Sequence, residues 1–400
     1  MTAGKNDIPI DFKDPTELKK QVFKVLNFYY PQCIDKENGG YYEGMLDDGS
    51  INDRHTKNLV GTARFIYIFS VGTLLGGPVW CEKAAIHGIN FLQEHFLDKE
   101  NNGYYFQLDK TEVTDSSKMT YGHAFVLLAS SIAYQAGITE AKTVLDNVDK
   151  VLEEHFWEEE KGFYVDEWDA SWSNLVSYRG QNANMHMCEA SLTAYEATHN
   201  EKYLERAYHL AKGVAKELMP QTKGLVWEHY DSNFQVDWKY NKGLTKDEFR
   251  PYGFIPGHQL EWSKLFIWLV KYRFEPWMLE NAEHLYQQAW QLGWDETYGG
   301  MFFALSPDKK LIDLDKNYWV MAEGIAASSL LAAKTSSSKY WDGYKKLFNY
   351  SWQYLMDHKY GGWYQLLGRE NCPYSNEKSP SPKTDYHPIA AYYLAIRALS

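Results

Sequence analysis

The chain is expected to be all-α, an (α/α)6 barrel of six inner and six outer helices with short β-hairpin or extended segments and one long lid loop. Three observations predict this. A glycine-aromatic motif recurs six times, each interval between motifs has room for two helices, and the helical patterns are of two kinds. The motif reads "NGGYYEG" (Gly39, Gly40), "NNGYYFQ" (Gly103), "EKGFYVD" (Gly162), "TKGLVWE" (Gly224), "YGGMFFA" (Gly299, Gly300) and "YGGWYQL" (Gly361, Gly362). Counted from Gly40 the spacings are 63, 59, 62, 76 and 62 residues. Glycine supplies a positive-φ turn, and the aromatic alternation after it makes a short extended piece.

The first helix starts at Asp14-Pro15, an N-cap followed by proline at the first helical position, and carries Leu18, Val22, Val25, Leu26 and Tyr29 on one stripe. The second, from about Thr56, is apolar nearly all round ("LVGTARFIYIFSVG"). An amphipathic outer helix and a buried inner one therefore make up each unit. No polar capping repeat stands at either end, which favours a closed toroid over an open solenoid. No linker rich in Pro, Gly or Ser divides the chain, so residues 1–400 are read as one domain. The long interval holds "VDWKYNKGLTKDEFRPYGFIP", a polar, aromatic loop of the kind that covers sites, and it runs straight into "GHQLEWSKL".

Polar residues interrupt the head of every inner helix. The first has Lys57 and Arg64; the second Lys118, Tyr121 and His123; the third Arg179, Asn182, Asn184, His186 and Glu189. The fourth has His258 and Glu261, the fifth Trp319 and Glu323, and the sixth His387 ahead of Pro388. Any one of these has a structural reading: a helix-start detail for His387, capping pairs for His186–Glu189 and His258–Glu261, a second-shell or structural role for His123. Burying unpaired charge is costly, so six helices sharing that cost around one axis imply a solvated funnel where a ligand would sit. All six heads are expected to point toward it.

Composition narrows the ligand. A formal net charge of −12 works against nucleic acid or an anionic membrane surface. The N-terminus has no apolar leader and no segment is long and apolar enough for a membrane span, so a cytoplasmic protein is expected. The four cysteines form no CxxC and are read as reduced core residues. Aromatics at 16% suit sugar binding, although a large helical core would also use them. His186, His258, His387 and Glu261 could make a three-histidine, one-carboxylate metal site, but no histidine pair has the HExxH spacing and the nearby Arg and Lys repel a cation. Neither metal nor cofactor is expected. A glycoside hydrolase would need two carboxylates flanking the scissile bond, and here histidines stand forward of the acids. A non-catalytic binding scaffold is the remaining alternative.

These residues resemble the N-acylglucosamine 2-epimerase superfamily, in its branch acting on free sugars. The carriers are "GTAR" ending at Arg64, "YRGQNANMHMCEA" around His186, "FRPYGFIPGHQLEWSKL" around His258 and Glu261, "YWVMAEG" around Trp319 and Glu323, and "KTDYH" ending at His387. The resemblance implies that His258 and His387 transfer protons and that Arg64 holds the sugar oxygens at C1 and C2. It also implies that Asn184, His186, Glu261 and Trp319 bind or orient a small-molecule monosaccharide, the expected partner of a monomer or homodimer; Tyr121 and Glu323, at the heads of their inner helices, are counted as substrate-binding with them. Val60 stands where some members have a sugar-stacking Trp.

An open-chain aldose has an acidified C2 proton, because the carbanion delocalises onto the C1 carbonyl as a cis-enediolate. Imidazole is a suitable base near neutral pH. Glu261, one turn from His258, is expected to hold its tautomer. Reprotonation at C2 from the opposite face gives an epimer and at C1 a ketose. The departures near Arg64 incline the reading to 2-epimerisation of D-mannose with D-glucose, with isomerisation to D-fructose as the alternative and cellobiose 2-epimerisation further off.

Overall fold

The computed structural model describes residues 8–400. Among them are twelve helices of 11 residues or more: α1 (Pro15–Tyr29), α2 (Leu59–Leu74), α3 (Val79–Phe91), α4 (Thr120–Gln135), α5 (Ala141–Val151), α6 (Gln181–Thr198), α7 (Glu201–Gly213), α8 (Pro256–Leu269), α9 (Pro276–Gly293), α10 (Tyr318–Thr335), α11 (Ser338–Tyr350) and α12 (Tyr386–Leu399). Asp14 caps α1 by accepting from Thr16 N at 2.8 Å, and the stripe from Leu18 to Tyr29 is buried. The even-numbered helices are buried on nearly every face, whereas α5, α7 and α11 bury one face only.

The even-numbered helices pack in sequence, α2 on α4, α4 on α6, α6 on α8, α8 on α10 and α10 on α12, and α12 returns to α2. Each odd-numbered helix from α3 to α11 packs outside the even-numbered one before it, while α1 lies against α12 and α2. The second helix starts at Leu59 rather than near Thr56, because Thr56–Asn58 is a strand paired with Gln107–Asp109. Short strands of this kind precede α4, α6 and α10 as well.

The glycine motifs follow outer helices whose last turn, in α3, α5, α7 and α11, widens to i→i+5 hydrogen bonds, as in Leu97 N to Leu92 O. Gly40 has φ +67°, and a Cβ there would lie 2.8 Å from the Phe91 ring, so both backbone and packing require glycine. In five of the six motifs an acid four or five residues before the glycine pairs with a cation leading into the next inner helix. These pairs are Asp35–Lys57 (2.8 Å), Asp98–Lys118 (2.8 Å), Glu158–Arg179 (3.4 Å), Asp295–Lys316 (2.9 Å) and Asp357–Lys378 (2.5 Å). Lys57, Lys118 and Arg179, expected at a ligand funnel, are thus staples between neighbouring repeats. Cys33, Cys81 and Cys188 are free and buried, and Cys372, expected in the core, is exposed. No helix among the described residues is long and apolar enough to cross a membrane.

Candidate active site

The heads of the inner helices enclose a cavity of about 190 Å³. Of the nine residues given catalytic or binding roles from the sequence, seven line it, Arg64, Tyr121, His186, His258, Glu261, Trp319 and His387, and Asn182 of the third inner-helix head lines it too. The long loop contributes Lys246, Asp247, Glu248 and Pro251. Ion pairs hold that loop down, Lys246 to Asp315 at 2.6 Å and Glu248 to Lys383 at 2.6 Å, and Thr245 donates to Asp313 at 2.8 Å.

Two of the three cavity histidines, His258 and His387, are oriented by a carboxylate on Nδ1. His387 Nδ1 lies 2.7 Å from Glu323 Oε1 of α10, and His258 Nδ1 lies 2.8 Å from Glu228 Oε1. The direction of the second bond follows from an indole, which can only donate. Trp262 Nε1 donates to Gln181 Oε1 at 2.7 Å, so the Gln181 amide nitrogen faces Glu228 at 2.9 and 3.1 Å. Gln181 Nε2 also lies 3.1 Å from His258 Nδ1, and the Glu228 carboxylate, which can only accept, takes the His258 Nδ1–H at the shorter distance of 2.8 Å. In the neutral ring Nε2 then carries the lone pair and is the nitrogen left for the cavity. The Trp319 indole packs beside both rings, centroids 5.0 Å from His258 and 5.7 Å from His387. Burial, reinforced by Arg64, His186 and Lys264, holds His387 well below the ordinary histidine range.

Glu261 does not hold the tautomer of His258. It turns instead to Lys264 (3.5 Å) and His186 Nδ1 (3.8 Å), because an i, i+3 spacing makes two helical residues neighbours without aiming their side chains at each other. The orienting acid, Glu228, was missed although it closes the fourth motif, "TKGLVWE". The signal was available: Glu43, Asp166 and Glu228 recur three or four residues after a motif glycine, each reaching the start of an inner helix.

Arg64 is 3% exposed and has no ion pair among the described residues. Its guanidinium donates to Pro382 O (3.1 Å) and to the Tyr121 hydroxyl (3.2 Å) and stacks over Phe125 at 4.5 Å. A buried cation held only by neutral groups is poised for an anion.

Asn184, expected to bind substrate, is elsewhere. Its amide is consumed by Tyr164 N (2.8 Å), Tyr164 O and Gly180 O, clamping a motif hairpin to α6. His123 does the same for Tyr104 N at 3.0 Å, and Gln259 for Val226 N at 2.9 Å. Glu323 lies behind His387 rather than on the lining, bound to its Nδ1 and to Lys264 at 2.8 Å.

Two sets of donors, His186–Glu189–Glu261 and Glu261–Glu323–His387, lie within the spacing a metal ion needs. The Lys264 ammonium contacts all three of these carboxylates, Glu323 at 2.8 Å, Glu189 at 3.0 Å and Glu261 at 3.5 Å.

Residues 40–391 match the model of the N-acylglucosamine 2-epimerase (GlcNAc 2-epimerase) family. A D-mannose isomerase of Marinomonas mediterranea is 42% identical over 97% of this chain and 98% of its own. A second D-mannose isomerase, of Thermobifida fusca, is 32% identical over 85% of this chain and 84% of its own. The fold superposes on a crystal structure of D-mannose isomerase with a TM-score of 0.94 at 41% identity, covering 98% of this chain and all of that one.

Proposed function

The chain belongs to the N-acylglucosamine 2-epimerase family, and from that membership and the site geometry we propose that it is a carbohydrate isomerase interconverting D-mannose and D-fructose. The observation that carries the reading is the pair of carboxylate-oriented imidazoles on one cavity, with a buried, unpaired arginine beside them. The relatives named D-mannose isomerase favour the ketose outcome over the 2-epimer to which the residues around Arg64 first inclined the reading.

In the open-chain sugar, His387 Nε2 removes the C2 proton, and the C–H electron pair moves into a C1–C2 double bond as the carbonyl oxygen gains charge. Arg64 and Tyr121 face that oxyanion. Glu323 steadies the imidazolium that forms on His387, which then returns the proton to C1. His258, held by Glu228, moves the hydroxyl proton between O2 and O1. Trp319 and His186 position the sugar, and Glu261 faces it as an acid or hydrogen-bond donor. We read the whole chain as one (α/α)6-barrel domain with residues 236–256 as its lid, needing no metal or cofactor.

Incubation with D-mannose in D₂O tests this. The expected product is fructose with deuterium at C1; glucose labelled at C2 would assign the epimerase outcome instead. Hydrogen exchange retained in both His258→Ala and His387→Ala would exclude the histidines as the bases. Activity lost on chelation and restored by added metal would overturn the metal-free mechanism.

A further inference from the structure

Lys264 sits on α8 one turn beyond Glu261 and is 1% exposed. Its ammonium meets Glu323 Oε2 of α10 at 2.8 Å, Glu189 Oε1 of α6 at 3.0 Å and Glu261 Oε1 of its own helix at 3.5 Å. Glu189 also accepts from the Tyr386 hydroxyl at 2.8 Å. The other titratable or charged groups facing this cluster are His186 of α6, His387 of α12, Arg64 and Tyr67 of α2, and Tyr121 of α4.

One ammonium cannot neutralise three carboxylates cut off from water. Burial opposes ionisation of all three. Lys264 and His186 nonetheless hold Glu189 below the usual carboxylate range. Burial and the neighbouring Glu323 and Glu189 push Glu261 well above it, and burial raises Glu323 as well. Neither Glu261 oxygen has a hydrogen-bond partner, and the residue lines the cavity. Its acid proton is therefore free to be presented there.

We propose that Lys264 is a positioning residue for the reaction: by dividing one positive charge among Glu189, Glu261 and Glu323, it keeps Glu323 as an acceptor for the His387 Nδ1 proton and leaves Glu261 as a neutral acid facing the sugar. Without the ammonium, Glu323 takes up a proton and donates to His387 Nδ1. The neutral ring then carries its one hydrogen on Nε2, facing the sugar, and the base nitrogen is lost. Raising the pH ionises Glu323 again and restores the working tautomer. The inference rests on His387 acting as the base, as proposed above.

The test compares Lys264→Arg, Lys264→Met and the charge-balanced pair Lys264→Met with Glu189→Gln, following kcat and KM for D-mannose across pH. Lys264→Arg is expected to keep the profile of the unmodified enzyme. The balanced double variant is expected to lose about tenfold or more in kcat near neutral pH, with its acid limb moved up by about one unit, recovery on the alkaline side and KM within about twofold. A folded double variant whose kcat and acid limb match the unmodified enzyme would overturn the proposal. Should the Met variants not fold, carboxyl ¹³C NMR of the unmodified enzyme decides: Glu189 ionised beside a protonated Glu261 at neutral pH supports it, and three ionised carboxylates overturn it. If the unmodified enzyme turns over no free hexose, the proposed function fails first; if it does and the limb stays put, only the role of Lys264 fails.

Discussion

Glu228→Gln isolates the contribution of one oxygen atom. In the native site Glu228 accepts both the His258 Nδ1–H (2.8 Å) and the Gln181 amide, whose orientation is dictated by Trp262. A glutamine there must either present its NH₂ to His258, which inverts the tautomer, or present it to Gln181, which sets donor against donor. At an effective dielectric constant of about 20, full opposite charges 2.8 Å apart attract by about 6 kcal/mol. The imidazolium is only partly developed in the transition state and the amide keeps a dipole, so about half of this, roughly 3 to 4 kcal/mol, is the expected loss. Each 1.4 kcal/mol or so is a decade in rate, so kcat should fall about 10²- to 10³-fold. KM should change little, because the carboxylate lies behind the ring rather than against the sugar. Steady-state kinetics on a variant with native circular dichroism makes the comparison. A kcat within tenfold of the unmodified enzyme would refute the indole-to-imidazole argument.

Asp98→Ala leaves the Lys118 ammonium buried without its partner and should destabilise by about 3–5 kcal/mol in urea unfolding, with KM of the folded fraction unchanged. Gly257→Ala places a Cβ 2.3 Å from Trp319 Cζ3, so the indole beside both imidazoles must move; roughly 1–3 kcal/mol of stability and a measurable part of kcat should be lost, with altered tryptophan fluorescence. Asp166 is buried and raised to about 7 by that burial, so its acid form stabilises the native state below the unfolded carboxyl range, and this contribution fades as pH rises through 7. Asp166→Asn should therefore gain stability relative to the unmodified enzyme between about pH 4 and 7, by a few kcal/mol in paired melts; a difference independent of pH would contradict the raised carboxyl.

What could be read from sequence was what local rules dictate. The motif glycines are forced by positive φ and by close ring packing, and the inner helices by apolar runs of fixed period. Arg64, His258 and His387 stood out together: each alone has a structural reading, and polar groups at the heads of six inner helices are costly to bury without a shared purpose. The contacts that assign roles are not local. Glu228 and His258 are 30 residues apart and meet only because a motif hairpin folds onto α8. Glu261, adjacent in the helix, was the more visible candidate and faces another way. Asn184 was misjudged because a hairpin clamp and a ligand contact call for the same amide at the same depth. Lys264 was not singled out, because its three acids come from three helices and only Glu261 shares its own.

Arg64 is anchored by a carbonyl 318 residues further along the chain, and His387 lies on the final helix. A growing polypeptide thus cannot bring Arg64, its carbonyl anchor and both imidazoles together until residues 382–387 are made, and no fragment from either half of the chain holds them all. A single cut ahead of Pro382 would remove together the proposed base His387, part of the cavity wall and the carbonyl that supports the arginine.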